Sequence, residues 1–278
     1  MKINISNIIK SLKKNGHVSL GKIIPHKTCN QAKLDILKLQ KNLKKNKKFI
    51  DEASLKGQEI IRDLPLRHPE AFLKFTDLKS IMKILENIFH DNFILDNMMA
   101  SNSINVLNKH DTKIHIDSQM PINQFNLTTD VVVMIYLDKF KIENGATKVW
   151  SGSHKSGVRI HREKNFNKKK ISKSKYLIGD KGSVSIMLGQ TWHQVGKNIT
   201  HEDRWSFFLH YKRWWMKPST NFLKCGKKIF NKLNTKQKEL FGFNSISPSY
   251  NFNNKTKKIY TLRKIKSISK NYNKVLSY

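Results

Sequence analysis

Arginine is scarce in this chain. Of 53 basic residues in 278, seven are Arg (62, 67, 159, 162, 204, 213 and 263) and the rest are Lys. Acidic residues number only 20, so the formal net charge is +33. Such a charge invites a nucleic-acid reading. Proteins that read bases lean on the planar arginine fork, however, and that fork is mostly missing here. Abundant Lys, Asn and Ile is what an AT-rich genome writes, and we read the charge in that sense. Cysteine is also rare: Cys29 and Cys225 are the only two. That argues against a disulfide framework and fits a reducing cytoplasm. Long apolar runs are absent as well. The strongest, VVVMIYL (131–137), is too short to cross a bilayer, and MKINISNIIKSLKKNG at the start has no unbroken apolar stretch of the secretory kind. No membrane partner is expected.

What is present divides along the chain. The first third reads as helical after a short strand at HVSL (17–20). CNQAKLDILKLQKNLKK (29–45) sets Ala32, Leu34, Leu37 and Leu39 among lysines as an amphipathic helix, and 69–89 holds further helical segments. From about residue 93 the pattern turns to strands: 93–107, 113–117, 130–138, 146–150, 157–162, 183–188, 191–195 and 204–214. Asn144-Gly145 and GDKG (179–182) are turn signals between them. Many short strands separated by turns point to a sandwich, jelly roll or barrel. After WWMKP (214–218) a helical segment returns at KQKELFGF (236–243), and a Lys- and Asn-rich tail follows from about 251.

Three His-x-acid pairs occur: His115/Asp117, His161/Glu163 and His201/Asp203. Composition alone predicts roughly one, so context must choose. His161/Glu163 opens a charged loop, and His201/Asp203 sits in a polar turn. His115 and Asp117 lie in a strand-like run, where alternation puts both on one face. Two imidazoles and a carboxylate can occupy one face of Fe(II) and leave three positions open. His193, in TWHQVGKN (191–198), is the natural second histidine, although read alone it fits equally an ordinary core histidine. Arg204 and Ser206 begin an otherwise apolar strand and point the same way. A buried Arg needs an anion. A bound carboxylate would serve, and so would an internal salt bridge.

HID (115–117), LDKFKIENGATKVWSGSHK (137–155), TWHQVGKN (191–198) and RWS (204–206) occur in this order. Together they resemble the phytanoyl-CoA dioxygenase family of Fe(II)/2-oxoglutarate oxygenases, over roughly residues 10 to 250. The resemblance implies a mainly β fold with flanking helices around a double-stranded β-helix (jelly-roll, cupin-like) core. It implies one dioxygenase domain over 1–250: a helical part (1–92), a core (about 93–215) and a C-terminal helical part (216–250), with 251–278 as a basic tail. It carries His115, Asp117 and His193 over as catalytic iron ligands, and Arg204 and Ser206 as partners of the far carboxylate of 2-oxoglutarate. Asn105 and Thr147 fall along the co-substrate pocket. Fe(II), 2-oxoglutarate and O2 are the implied cofactor and co-substrates, with hydroxylation of a small-molecule or acyl substrate, an anionic one among the candidates, and release of succinate and CO2. The family usually has Pro where this chain has Ser151, which loosens a turn and removes no ligand. His154 in that turn reads as structural. Two other classes stay open at this stage. One is a non-catalytic jelly-roll binding protein. The other is a basic nucleic-acid binder using 164–175 and the tail.

Overall fold

The run VVVMIYL does fold as a strand, and it is buried on both faces. In the computed structural model, which describes residues 4–46, 58–104, 113–118, 127–160 and 174–243, every residue of this strand, Asp130–Tyr136, is buried. We call it β4. The order of elements is α1 (Ile5–Asn15), β1 (His17–Lys22), α2 (His26–Lys45), β2 (Gln58–Ile61), α3 (Leu64–Arg67), α4 (Pro69–Phe72), α5 (Lys79–Phe89), β3 (Phe93–Ser103) and β4. It continues β5 (Lys148–Val149), β6 (Lys175–Tyr176), β7 (Ser183–Leu188), β8 (His193–Gln194), β9 (Arg204–Arg213), α6 (Gly226–Phe230) and α7 (Thr235–Leu240).

A six-stranded sheet runs β1-β7-β4-β9-β3-β2, and a three-stranded sheet runs β6-β5-β8. All their pairings are antiparallel. The result is the expected jelly-roll core with flanking helices. Strand alternation sorts the side chains of the large sheet into two sets. Val131, Val133, Ile135, Val184, Ile186, Phe207 and Leu209 pack outward, in one core with Ile81, Ile84, Leu85 and Phe89 of α5 and Ile8 and Leu12 of α1. Val132, Met134, Tyr136 and Met187 face the other way, in a second cluster with Phe140, Ala146, Val149 and Leu177. Emptying one such fully buried aromatic site, as in Phe207→Ala, costs on the order of 3–5 kcal/mol.

The longest ladder, β3 against β9, carries a bulge between Leu95 and Asn97. Asp96 is the extra residue. Its carboxylate accepts from Lys212 Nζ at 2.9 Å and from Ser219 Oγ at 2.7 Å. Beyond the bulge the strand resumes with Met98 and Ala100 toward the helices. Asn97, Met99, Ser101 and Ser103 stand opposite His210, Phe208, Ser206 and Arg204.

Several expected boundaries move. The segment 113–117 carries only an isolated bridge at His115. The strands expected at 146–150 and 191–195 shrink to two residues each, and 157–160 forms no strand, residues 161 and 162 lying outside the described part. β2 and β6 were not signalled, because QEII and KY are too short for a period to register. In α2 the expected stripe is corrected. Cys29, Ala32, Ile36 and Leu43 are buried, whereas Leu34 is 52% and Leu37 39% exposed. A 3.6-residue period places 29, 32, 36 and 43 on one side and turns 34 and 37 away from it. α7 starts with a capping box between Asn234 and Gln237.

Candidate metal centre

The segment KIHID is zipped onto the end of β7 and the start of β8 through its backbone. His115 N–H donates to His193 O and His193 N–H to His115 O, each at 2.9 Å. Asp117 and Ser118 N–H both donate to Gly189 O at 3.0 Å. A larger residue at position 189 would displace Asp130: a Cβ there would lie 1.3 Å from Asp130 Oδ1. These contacts bring the three side chains together. The imidazole centroids of His115 and His193 are 4.1 Å apart. Asp117 Oδ1 lies 3.8 Å from His115 Nε2 and 3.5 Å from His193 Nε2. One donor atom from each residue falls within 4.8 Å of the others, and among the described residues no other such group of His, Cys, Asp and Glu forms.

The second ring nitrogens settle the tautomers. His115 Nδ1 is 2.9 Å from Lys113 O, and His193 Nδ1 is 3.0 Å from Thr191 O. A carbonyl only accepts, so each Nδ1 carries a proton; Nε2, the nitrogen beside Asp117, donates to that carboxylate when the ring is charged and is the one left to bind a metal when the ring is neutral. Burial would push the Asp117 carboxyl up, but the charge and hydrogen bond of His193, then the charges of His210 and His115, outweigh it. The group stays well below the ordinary carboxylate range. Burial likewise pushes His193 down, and Asp117 more than reverses it, leaving the imidazole above its usual value. Two neutral nitrogens and one carboxylate, all on fixed backbone, suit a divalent metal ion with part of its coordination sphere free.

Arg204 starts β9 with its side chain turned into the interior, and it is 1% exposed. Its Nε donates to Asn144 O at 3.1 Å. Its guanidinium lies over the Phe140 ring at 3.9 Å, and Phe140 stacks on Tyr136 at 3.8 Å with the rings 1° from parallel. Nη1 is buried without a hydrogen-bond partner. Burial lowers the guanidinium to about 10. Asp138, the acid whose charge acts on Arg204, takes Lys33 Nζ at 2.7 Å and Trp205 N–H at 2.9 Å instead. Among the described residues no carboxylate pairs with Arg204. An internal salt bridge therefore does not account for it, and the orphaned Nη1 points to a bound anion.

Ser206, two residues on and fully buried, shares the Arg204 face, with Oγ 3.4 Å from Ser101 O. Thr147 is buried just before β5, where its carbonyl accepts from Leu177 N–H. Asn105, Glu163 and His161 lie outside the described residues. His201 and Asp203 are exposed in the turn before β9 and take no part. His154 is buried 3.2 Å from Lys13 O, away from the trio. Ser151, the departure from the family's proline, hydrogen-bonds His17 Nε2 at 2.8 Å and so ties that turn to β1.

Sequence reasoning missed three participants. Asn144 does more than allow a turn: its side chain accepts from Lys141 N–H and donates to Lys139 O, both at 2.8 Å, and its carbonyl holds Arg204. The Asn-Gly signal marked the place but not this role. Asn97 and His210 stand opposite each other on β3 and β9, and the bulge hid the pair: alternation carried on from Phe93 and Leu95 would have turned Asn97 toward the helices on paper. Among the described residues no helix is long and apolar enough to cross a membrane.

The fold is shared with solved structures. HygX from Streptomyces hygroscopicus, with nickel and 2-oxoglutarate bound, superposes with a TM-score of 0.61 at 12% identity, covering 76% of this chain and 88% of that one. The non-heme alpha-ketoglutarate-dependent epimerase SnoN from nogalamycin biosynthesis gives 0.60 at 14%, covering 77% and 84%. AviO1 from Streptomyces viridochromogenes gives 0.59 at 12%, covering 79% and 100%. At these identities the likeness establishes the fold. No curated protein sequence matches significantly. A sequence model of the phytanoyl-CoA dioxygenase family matches residues 12–206, the span that holds all three donor residues and Arg204, and the chain belongs to that family.

Proposed function

We propose that this protein is an Fe(II)/2-oxoglutarate-dependent oxygenase that hydroxylates a small molecule, with release of succinate and CO2. The observation that carries the reading is the pairing of a two-histidine, one-carboxylate cluster with a buried guanidinium whose Nη1 is unpaired. Family membership agrees with it.

In this reading His115, Asp117 and His193 hold the iron, each histidine through the Nε2 lone pair that its Nδ1–H···O=C bond exposes. Arg204 and Ser206 receive the far carboxylate of 2-oxoglutarate, and Thr147 lines its path. Bound iron with 2-oxoglutarate and O2 supplies the oxidising power that attacks a substrate C–H bond. The chain's own work is placement. The Asn144 carbonyl and the Phe140 face fix the guanidinium before the anion arrives, so little ordering is left at binding. Val149 and Met187 pack in one apolar cluster with Phe140 and so back the guanidinium with apolar surface.

The test is anaerobic titration of the purified protein with Fe(II) and then 2-oxoglutarate, followed by succinate release on admitting O2. One iron per chain and 2-oxoglutarate binding that needs both the metal and Arg204 are expected. A protein binding neither would be the non-catalytic jelly-roll module. Mass spectrometry of the product under 18-O2 decides the reaction type. One labelled oxygen supports hydroxylation, and a product isomeric with its substrate and free of label would place the chain with epimerases such as SnoN.

A further inference from the structure

The interior face of β3 and β9 is polar beside the metal centre, and two of its buried polar atoms have no hydrogen-bond partner among the described residues. Residues of this ladder that point to the helices, such as Met98, Ala100 and Leu209, are wholly buried. On the other face Met99, Phe208 and His210 are only half-buried, so the space between the sheets is open there. In the same space the His115 side chain is 36% and the Asp117 side chain 22% exposed. Asn97, 7% exposed, stands opposite His210 in the ladder. Its Nδ2 donates to Asp96 Oδ2 at 3.1 Å. A carboxylate only accepts, so this bond fixes the amide orientation and leaves Oδ1 as the presented atom. That Oδ1 is buried without a partner, and so is His210 Nε2. Two facing polar atoms, each shut off from water and unbonded, are costly unless a ligand completes them. His210 is also near enough to Asp117 to help hold that carboxyl down.

We propose that Asn97 and His210 form a substrate subsite beside the metal that takes a hydroxyl or amino group. The substrate is then a polyhydroxylated or aminated small molecule, not an apolar acyl chain. A hydroxyl donates its hydrogen to Asn97 Oδ1 and accepts from His210 Nε2–H, which satisfies both orphans at once, and an amine does the same. Met99 and Phe208, one ladder step nearer Arg204, give the carbon skeleton an apolar rest. The assignment rests on the oxygenase reading above.

The experiment uses the full chain loaded anaerobically with Fe(II) and 2-oxoglutarate. The probes are myo-inositol, glucosamine and trehalose, with palmitoyl-coenzyme A as the apolar counterpart. Binding is read by calorimetry, and succinate release is read after O2 is admitted. We expect at least one hydroxylated probe to bind and to accelerate succinate release, and palmitoyl-coenzyme A to do neither. Asn97→Leu and His210→Phe should each weaken that probe roughly 10- to 100-fold, while His210→Gln, which keeps a donor, should recover part of the loss. Iron stoichiometry and thermal melting show that each variant is folded. Stimulation by palmitoyl-coenzyme A alone, no binding of any hydroxylated probe, or unchanged probe affinity in both variants would overturn the subsite. A wild-type protein that binds no iron overturns the oxygenase reading instead, and probe calorimetry on the same sample still decides the subsite by itself.

Discussion

The two sheets carry their functional groups on frameworks built in opposite ways. Arg204 and Ser206 sit on a ten-residue strand, hydrogen-bonded along its length to β3 on one side and for most of it to β4 on the other. His193 sits on a strand of two residues. Its surroundings are held by single contacts: Thr191 Oγ1 on Gly16 O at 2.9 Å, Ser153 Oγ under Trp192 N–H at 2.9 Å, and the bare Cα of Gly189 against Asp130. A long ladder shares load among many bonds, so no one of them is decisive. A short one depends on each. The proposed anion clamp should therefore tolerate changes around it, and the proposed metal side should not.

The largest effect should come from His193→Ala, with loss of tight iron binding by more than about 100-fold. Anaerobic iron titration checks this, and unchanged stoichiometry and affinity would remove His193 from the centre. Next comes Arg204→Met. Losing a desolvated charge-assisted contact should weaken 2-oxoglutarate by on the order of 2–5 kcal/mol. The melting temperature of the unliganded protein should hold or rise, because an unsatisfied buried guanidinium has been removed. A steep fall in stability with unaltered 2-oxoglutarate affinity would make Arg204 structural.

A pair of small substitutions sharpens the contrast directly. Gly189→Ala forces a methyl into Asp130 and should cost about 2–3 kcal/mol in denaturant unfolding, with iron affinity reduced as well. Ser185→Ala, on β7 in the large sheet, loses its hydrogen bond to the Tyr136 hydroxyl, 2.7 Å in length, and should cost only about 1 kcal/mol. Equal costs would mean that the two frameworks are equally robust.

A further effect, confined to a window of pH, concerns His17. Burial, with the charges of Lys175 and His154, lowers His17 from 6.5 to about 4. The unfolded chain thus binds this proton first, and stability falls as pH drops through the window from about 6.5 to 4, by roughly 2 kcal/mol. His17→Gln should flatten that part of the curve, and an unchanged slope would assign it to other groups.

How much of this was legible depends on what each feature needs. The meeting of His115 and Asp117 in the candidate metal group was legible because alternation in an extended segment puts both side chains on one face, and His193 was reached through the order of the family's motifs. Arg204 was readable because charge inside an apolar strand has to be answered, although only the structure shows Asp138 already engaged by Lys33 and Trp205. The strands at 113–117 and 157–160 were overestimated, since residue preference cannot tell a ladder from a single bridge held by its neighbour. The exposed Leu34 and Leu37 show the reverse error: an apolar residue between lysines was counted toward a face before the period was laid out. His210 escaped because its part depends on a bulge on another strand.

That bulge sets a phase. With Asp96 looped out of the ladder and pinned by Lys212 and Ser219, Met98 and Ala100 meet the helices, and Asn97, Ser101 and Ser103 meet the metal side. Were Asp96 drawn into regular pairing, the strand beyond it would slip by one residue and the two sets would exchange places. A methionine and an alanine would then line the cavity, and an asparagine and two serines would be pressed into the apolar core. One looped-out aspartate, some distance from any reacting atom, thus works as a frame marker that decides which of two messages written on alternate residues of β3 the active site displays.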